Sequence, residues 1–238
     1  MNQNNLFLIT GASSGIGKEI SRKLCSEKFE VILTSRSVDK LESIRDEFLK
    51  LNYKVHAIPC DVRNEREVCS LFEKCASLGF VECVINNAGV GSFSSIDKTS
   101  IEDWDNQINT NLRSSFLITR LFVNTMKKKQ LGKFIFINSV AGKYAHSYSN
   151  STAYVASKYG LKGFADTLRT ELRKDNIKVI SIYPGAINTN FWDSIDVDIN
   201  KDEMLSPSDL AETIFHTIVS PNSSVVEDVV VRRTAGDF

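Results

Sequence analysis

Tyr154 and Lys158 stand one helical turn apart in Ala153-Tyr154-Val155-Ala156-Ser157-Lys158, so a helix through them carries both side chains on one face. A phenol has a reference pKa of about 10 and is a poor acid near neutrality, but an ammonium beside it favours the phenolate and makes the hydroxyl a usable proton donor. Such a pair can protonate an oxygen that gains negative charge, as a carbonyl oxygen does when its carbon accepts a hydride. The spacing alone is common, and two amphipathic surface residues are its ordinary reading. A second motif gives it weight. Thr10-Gly11-Ala12-Ser13-Ser14-Gly15-Ile16-Gly17 follows a short apolar run directly and opens a helical pattern that reaches Leu24. Gly11, Gly15 and Gly17 permit a tight turn, and with Ser13, Ser14 and Ile16 they bring backbone N–H groups and a helix N-terminus to a pyrophosphate. The order G-x-x-x-G-x-G differs from the G-x-G-x-x-G fingerprint, so it has to be weighed with the rest of the chain.

The next apolar run ends Leu33-Thr34-Ser35-Arg36, roughly 20 residues past the last glycine, where an acid would take the ribose 2′-hydroxyl of NAD. No acid stands there. A carboxylate would repel a 2′-phosphate, whereas Arg36 binds one bidentately and Ser35 offers a further hydrogen bond, so the expected cofactor is NADP(H).

These residues need a scaffold. Leu6–Thr10, Val31–Thr34, Lys54–Ile58, Val81–Asn86, Phe134–Ile137, Val179–Tyr183 and Val229–Val231 read as strands, separated by amphipathic helical stretches such as Leu112–Met126. Helical crossovers imply parallel pairing, and near-continuous apolar runs suit strands covered on both faces. The expectation is an α/β protein: one doubly wound Rossmann-type domain over residues 1–238, with a parallel sheet of about seven strands flanked by helices. Ligands bind such sheets at the strands' carboxyl ends, and both motifs fall there.

Taken together, the chain resembles the short-chain dehydrogenase/reductase family, and within it the carbonyl reductases of the sepiapterin reductase-like and 3-oxoacyl reductase-like kind. Besides the glycine turn and the Tyr154/Lys158 pair, the likeness is carried by Asp61-Val62, Asn86-Asn87-Ala88-Gly89, Asn111, Ser139 at the end of the fifth strand and Pro184-Gly185 at the end of the sixth. The resemblance implies that Tyr154 is the acid and that Lys158 holds the nicotinamide ribose and tunes Tyr154. It further implies that Ser139 bonds the substrate oxygen and that Asn111 positions a proton-relay water. Asp61 and Val62 would meet the adenine, and Asn87, Ala88, Gly89, Pro184, Gly185, Ile187 and Thr189 would line the cofactor. Tyr154 follows Ser139 at slightly more than the family's usual separation, which predicts a bulging loop over Tyr144–Thr152. The implied activity is NADPH-dependent reduction of a ketone or aldehyde. Alcohol oxidation and non-catalytic dinucleotide binding are the competing readings. The resemblance also implies a homodimer or homotetramer built through the helices that carry Asn111 and Tyr154.

The substrate pocket must come from loops beyond the strand ends, with a lid over about 188–205. Phe93, Tyr144, His146, Phe191 and Trp192 offer aromatic surface there, which would suit a planar or apolar carbonyl compound. Twenty-nine basic residues balance 29 acidic ones, so the chain has no electrostatic footprint for nucleic acid or an anionic membrane. Its apolar runs are too short to span a bilayer, and the expected location is the cytoplasm. Five cysteines without a C-x-x-C pair argue against a disulfide framework and a zinc site. Asp196, Asp198 and Asn200 resemble the start of a calcium loop, but Lys201 stands where that loop requires glycine, so no metal is expected.

Overall fold

The strand runs fold as a single parallel sheet in the order β3-β2-β1-β4-β5-β6-β7 in the computed structural model, which describes residues 6–144, 149–195, 200–221 and 223–236. The strands are β1 Leu6–Thr10, β2 Glu30–Thr34, β3 Val55–Ala57, β4 Val81–Asn86, β5 Gly132–Ile137, β6 Ile177–Pro184 and β7 Asp228–Val231. The helices are α1 Gly15–Ser26, α2 Val38–Lys50, α3 Glu65–Leu78, α4 Ile101–Ile108, α5 Ser114–Lys129, α6 Thr152–Leu172 and α7 Pro207–Ile218. The order of winding reverses between β1 and β4, which opens a crevice at their carboxyl ends.

Alternation along each strand feeds both faces of the sheet. Phe7 and Ile9 join Val31, Leu33, Ile20, Leu24, Phe48, Leu210 and Ile214 in one core, beneath α1, α2 and α7. Leu6 and Leu8 join Val84, Phe134, Phe136, Leu71, Phe122, Leu161 and Leu168 in the other, beneath α3, α5 and α6. Two buried faces are why these strands read as unbroken apolar runs. The edge strand β3 pairs only with β2 and is one residue shorter at each end than the Lys54–Ile58 run. The expected helix Leu112–Met126 is displaced: α5 begins at Ser114, and Asn109–Arg113 form a π turn joining α4 to α5. All five cysteines are free, and burial pushes the thiols of Cys25, Cys60, Cys75 and Cys83 up to about 12. Among the described residues no helix is long and apolar enough to cross a membrane.

Candidate active site

The glycine turn sits at the switch point and is locked to β4. Gly11 and Gly15 adopt φ of 64° and 52°, where a side chain is strained. A Cβ on Gly17 would stand 2.5 Å from both Asn87 Nδ2 and the Gly11 carbonyl, so only glycine fits. Asn87 Nδ2 donates to the carbonyls of Thr10 (2.8 Å) and Gly11 (3.2 Å), and Thr10 Oγ1 accepts from the N–H groups of Asn87 and Ala88, each at 2.9 Å. Ser14 is the extended residue before α1 and makes no side-chain cap, while Ser13 and Ile16 are half-buried beside it. The first backbone N–H groups of α1 have no partner within the helix, and the glycines leave the approach to them free of side chains, so the residues present fit a dinucleotide pyrophosphate. Thr10 as the latch was not singled out from sequence, because its role depends on β4.

At the β2 exit Arg36 is exposed and Ser35 is buried, its hydroxyl donating to the Ser37 carbonyl over a long 3.4 Å. Asp61 lies beside them. The guanidinium of Arg63 forks onto both its oxygens, with Nη2 at 2.6 Å and Nε at 3.0 Å and 3.1 Å, and holds its carboxyl below the usual range, with Arg36 adding attraction. Val62 is buried in the core below.

α6 carries the reactive pair. Lys158 is buried and donates from Nζ to the Ile137 carbonyl at 3.0 Å, with Nζ 5.7 Å from the centre of the Tyr154 ring. Burial lowers its pKa from 10.5 to about 8. Asn138, just past β5, donates to the Lys158 carbonyl at 3.2 Å, and Ser157 donates to the Tyr154 carbonyl at 2.7 Å; neither was foreseen. Ser139 lies two residues beyond β5 and caps a 3₁₀ turn over Val140–Gly142 by accepting from the Ala141 N–H at 3.1 Å. The Asn111 side chain is anchored on three bonds. Its Nδ2 donates to the Val90 carbonyl and Ser157 Oγ, each at 2.9 Å, and its Oδ1 accepts from the Val90 N–H at 2.8 Å. Gly89 approaches it from the β4 exit, with Asn111 Oδ1, the Asn87 carbonyl and Lys158 Nζ nearest to where its Cβ would be.

Above Tyr154 the aromatic residues form a cluster. Ring centres lie 5.5 Å apart for Phe93 and Tyr154, 5.9 Å for Tyr154 and Phe191, and 5.4 Å for Phe191 and Trp192. Phe191 rests on Gly91, where a Cβ would stand 2.4 Å from Cζ, and Trp192 Nε1 donates to the Ile187 carbonyl at 2.9 Å. Thr189 reaches the other way and packs on Gly15. The excursion from Asn188 is clasped at its base by an Ile187–Leu205 bridge and begins after Pro184 and Gly185 leave β6. Tyr144 does not join this cluster. It lies under the Arg232 guanidinium, 4.6 Å from ring centre to Cζ, because the C-terminal strand brings that cation to it. His146 lies outside the described residues, as do Asp196 and Asp198 of the acidic segment.

A glycine cradle at the switch point of a seven-stranded parallel sheet, with a buried lysine turned toward a tyrosine at the same edge, defines an oxidoreductase of the doubly wound dinucleotide-binding class. Residues 5–200 match the short chain dehydrogenase family model, and the chain belongs to the short-chain dehydrogenase/reductase family. It is 32% identical over 242 aligned positions to a sepiapterin reductase of Chlorobaculum tepidum, covering 98% of each chain. A metagenomic short-chain oxidoreductase solved with NADP is 30% identical, with a TM-score of 0.85 and 97% of each chain covered. The alcohol dehydrogenase of Thermococcus sibiricus, complexed with 5-hydroxy-NADP, is 27% identical, with a TM-score of 0.88 and the same coverage.

Proposed function

We propose that the protein reduces a ketone or aldehyde to an alcohol with NADPH, Tyr154 serving as the proton donor. The observation that carries this reading is the placement of Lys158 Nζ 5.7 Å from the Tyr154 ring at the same sheet edge as the glycine cradle. NADPH, when bound, supplies the hydride. Gly11 to Gly17 would hold its pyrophosphate, Arg36 and Ser35 its 2′-phosphate, Asp61 its adenine, and Lys158 the nicotinamide ribose; the relatives solved with NADP and the lack of an acid after β2 support that choice.

The chain's own work is orientation and proton delivery. Lys158 brings positive charge to the phenol, and Ser139 Oγ and Tyr154 Oη together face the oxygen that gains charge. Asn111, its side chain anchored to Val90 and Ser157, positions a proton-relay water. Phe93, Phe191 and Trp192 exclude water and favour a planar or apolar carbonyl compound, with 188–205 as the lid. Exposed Ile101, Trp104 and Phe116 on α4 and α5, with Tyr159 on α6, support pairing with a second copy through these helices, which light scattering tests; a monomer at micromolar concentration overturns it. Buried free thiols suit action in the cytoplasm.

The deciding experiment follows NADPH absorbance over aryl diketones, pterin carbonyls and 3-oxoacyl thioesters, with NADH in parallel. Tyr154→Phe should lower kcat by about a thousandfold, within the range of general acid–base catalysis, while NADPH affinity stays unchanged. Retained turnover removes Tyr154 from its role, and a preference for NADH removes Arg36 from its own.

A further inference from the structure

We propose that Arg63 is a positioning residue that ties the adenine wall of the cofactor cleft to the π turn carrying Asn111. The inference rests on the cofactor reading above, and goes beyond it by connecting the two ends of the cleft.

Arg63 uses every nitrogen of its guanidinium. Nε and Nη2 fork onto Asp61, and Nη1 donates to Asn106 Oδ1 at 2.9 Å on α4. The backbone N–H of Arg63 also donates to Asp61 Oδ1 at 3.0 Å. A carboxylate offers about four lone-pair positions. Three donors, the backbone N–H, Nε and Nη2, fix the carboxylate plane, with Nε shared between the two oxygens, and one lone-pair position is left to receive an exocyclic amine from the adenine.

The other end of the tie is doubled. Arg113, the last residue of the π turn, donates from Nη1 to the Arg63 carbonyl at 2.9 Å, while Thr110 within that turn donates to the same Asn106 Oδ1 at 3.4 Å. Residue 63 therefore holds the turn by side chain and by main chain. From the turn, Asn111 continues to Ser157 Oγ, and Ser157 to the Tyr154 carbonyl. The path from Asp61 to the Tyr154 carbonyl runs through these hydrogen bonds and the peptide link between Thr110 and Asn111. Occupying Asp61 with a donor narrows the positions open to the guanidinium, and with it those of Asn106 and the π turn. A lysine at 63 keeps the charge but lacks the planar fork, and cannot hold Asp61 bidentately while reaching Asn106.

The test uses 2′,5′-ADP, which carries the adenine and the 2′-phosphate but no nicotinamide, and reads amide hydrogen exchange at Asn109–Arg113. In the wild-type protein, saturating 2′,5′-ADP should slow exchange there by about fivefold or more, the lower bound of ordinary site-to-site coupling. In Asn106→Ala, 2′,5′-ADP should bind with unchanged Kd, yet the slowing should disappear. In Arg63→Lys the slowing should disappear and Kd should rise. Two half-exposed positions are used, so a folding failure at one leaves the other decisive, and a thermal melt identifies it. Undiminished slowing in both variants, or none in a wild-type protein that binds 2′,5′-ADP, overturns the tie. A wild-type chain that binds neither 2′,5′-ADP nor NADPH overturns the cofactor reading itself, and this inference with it.

Discussion

Lys158 shows what a reactive residue costs the fold. Its ammonium is buried against a carbonyl and an aromatic ring, and desolvation lowers its pKa from 10.5 to about 8. Between those two values the unfolded chain holds more proton than the native one, so this group's contribution to stability rises with pH from about 8 to 10.5 and is unfavourable below 8. At pH 7 the penalty is about 3 kcal/mol at 1.36 kcal/mol per pKa unit. Lys158→Met should therefore abolish reduction and yet raise the melting temperature by several degrees, at roughly 2–4 °C per kcal/mol for a chain of this size. The gain should vanish as scans approach pH 10.5, and an equal gain at both pH values would assign it to packing instead. Turnover of the wild-type protein should also fall as pH rises through about 8, where the charge beside Tyr154 is lost. Tyr154 and Lys158 were legible as a pair because helical spacing fixes their relative direction whatever the tertiary context. Asn138, Ser157 and Arg63 were not, since each acts through a partner distant in sequence. The stacking of Tyr144 under Arg232 was hidden for the same reason.

Among the elements, the strands were plain because burial on both faces leaves no polar alternation to blur them. The π turn Asn109-Thr110-Asn111-Leu112-Arg113 could not be told from an ordinary helix start, since the groups that hold it, Val90 on Asn111 and Arg63 on Arg113, are distant in sequence. The glycine turn was legible as a turn, but its clasp to β4 was not. That clasp yields a prediction. Ala at Gly17 would force its Cβ to 2.5 Å from both Asn87 Nδ2 and the Gly11 carbonyl, which cannot move without straining the 3.2 Å bond between them. Gly17→Ala should cost about 1–3 kcal/mol, the range for overpacking, and should weaken NADPH binding far more than the melting temperature suggests. Isothermal titration alongside a urea melt separates the two effects; unchanged affinity would mean that the cradle is not where the pyrophosphate binds.

Across the whole molecule, chemistry and structural charge are placed at opposite ends of the sheet. Near the amino ends of β4 and β5, Glu82 and Lys133 are almost wholly buried and meet at 2.6 Å. Lys178 on β6 sits beside Lys133 in register and has its pKa lowered by burial and by that neighbouring ammonium, while Glu82 acts on it in the opposite sense. Glu82 thus pairs with Lys133 and attracts Lys178 through space, while Lys178 Nζ itself donates to the Pro221 carbonyl at 2.7 Å, so the two halves of the pair are not equivalent. Lys133→Met leaves Glu82 the attraction of Lys178, whereas Glu82→Gln leaves the repulsion between two ammoniums unopposed. Breaking a buried pair costs about 3–5 kcal/mol, and Glu82→Gln should lie at the upper end with Lys133→Met below it. The double variant Glu82→Leu/Lys133→Met should recover most of the loss in urea melts, because no buried charge is stranded. Folded fractions of all three should keep wild-type kcat/KM, as the active site draws on the carboxyl ends of the same strands. Equal losses for the two single variants would mean that Lys178 does not feel the carboxylate, and a fall in kcat/KM among folded molecules would mean that the two ends of the sheet are mechanically coupled.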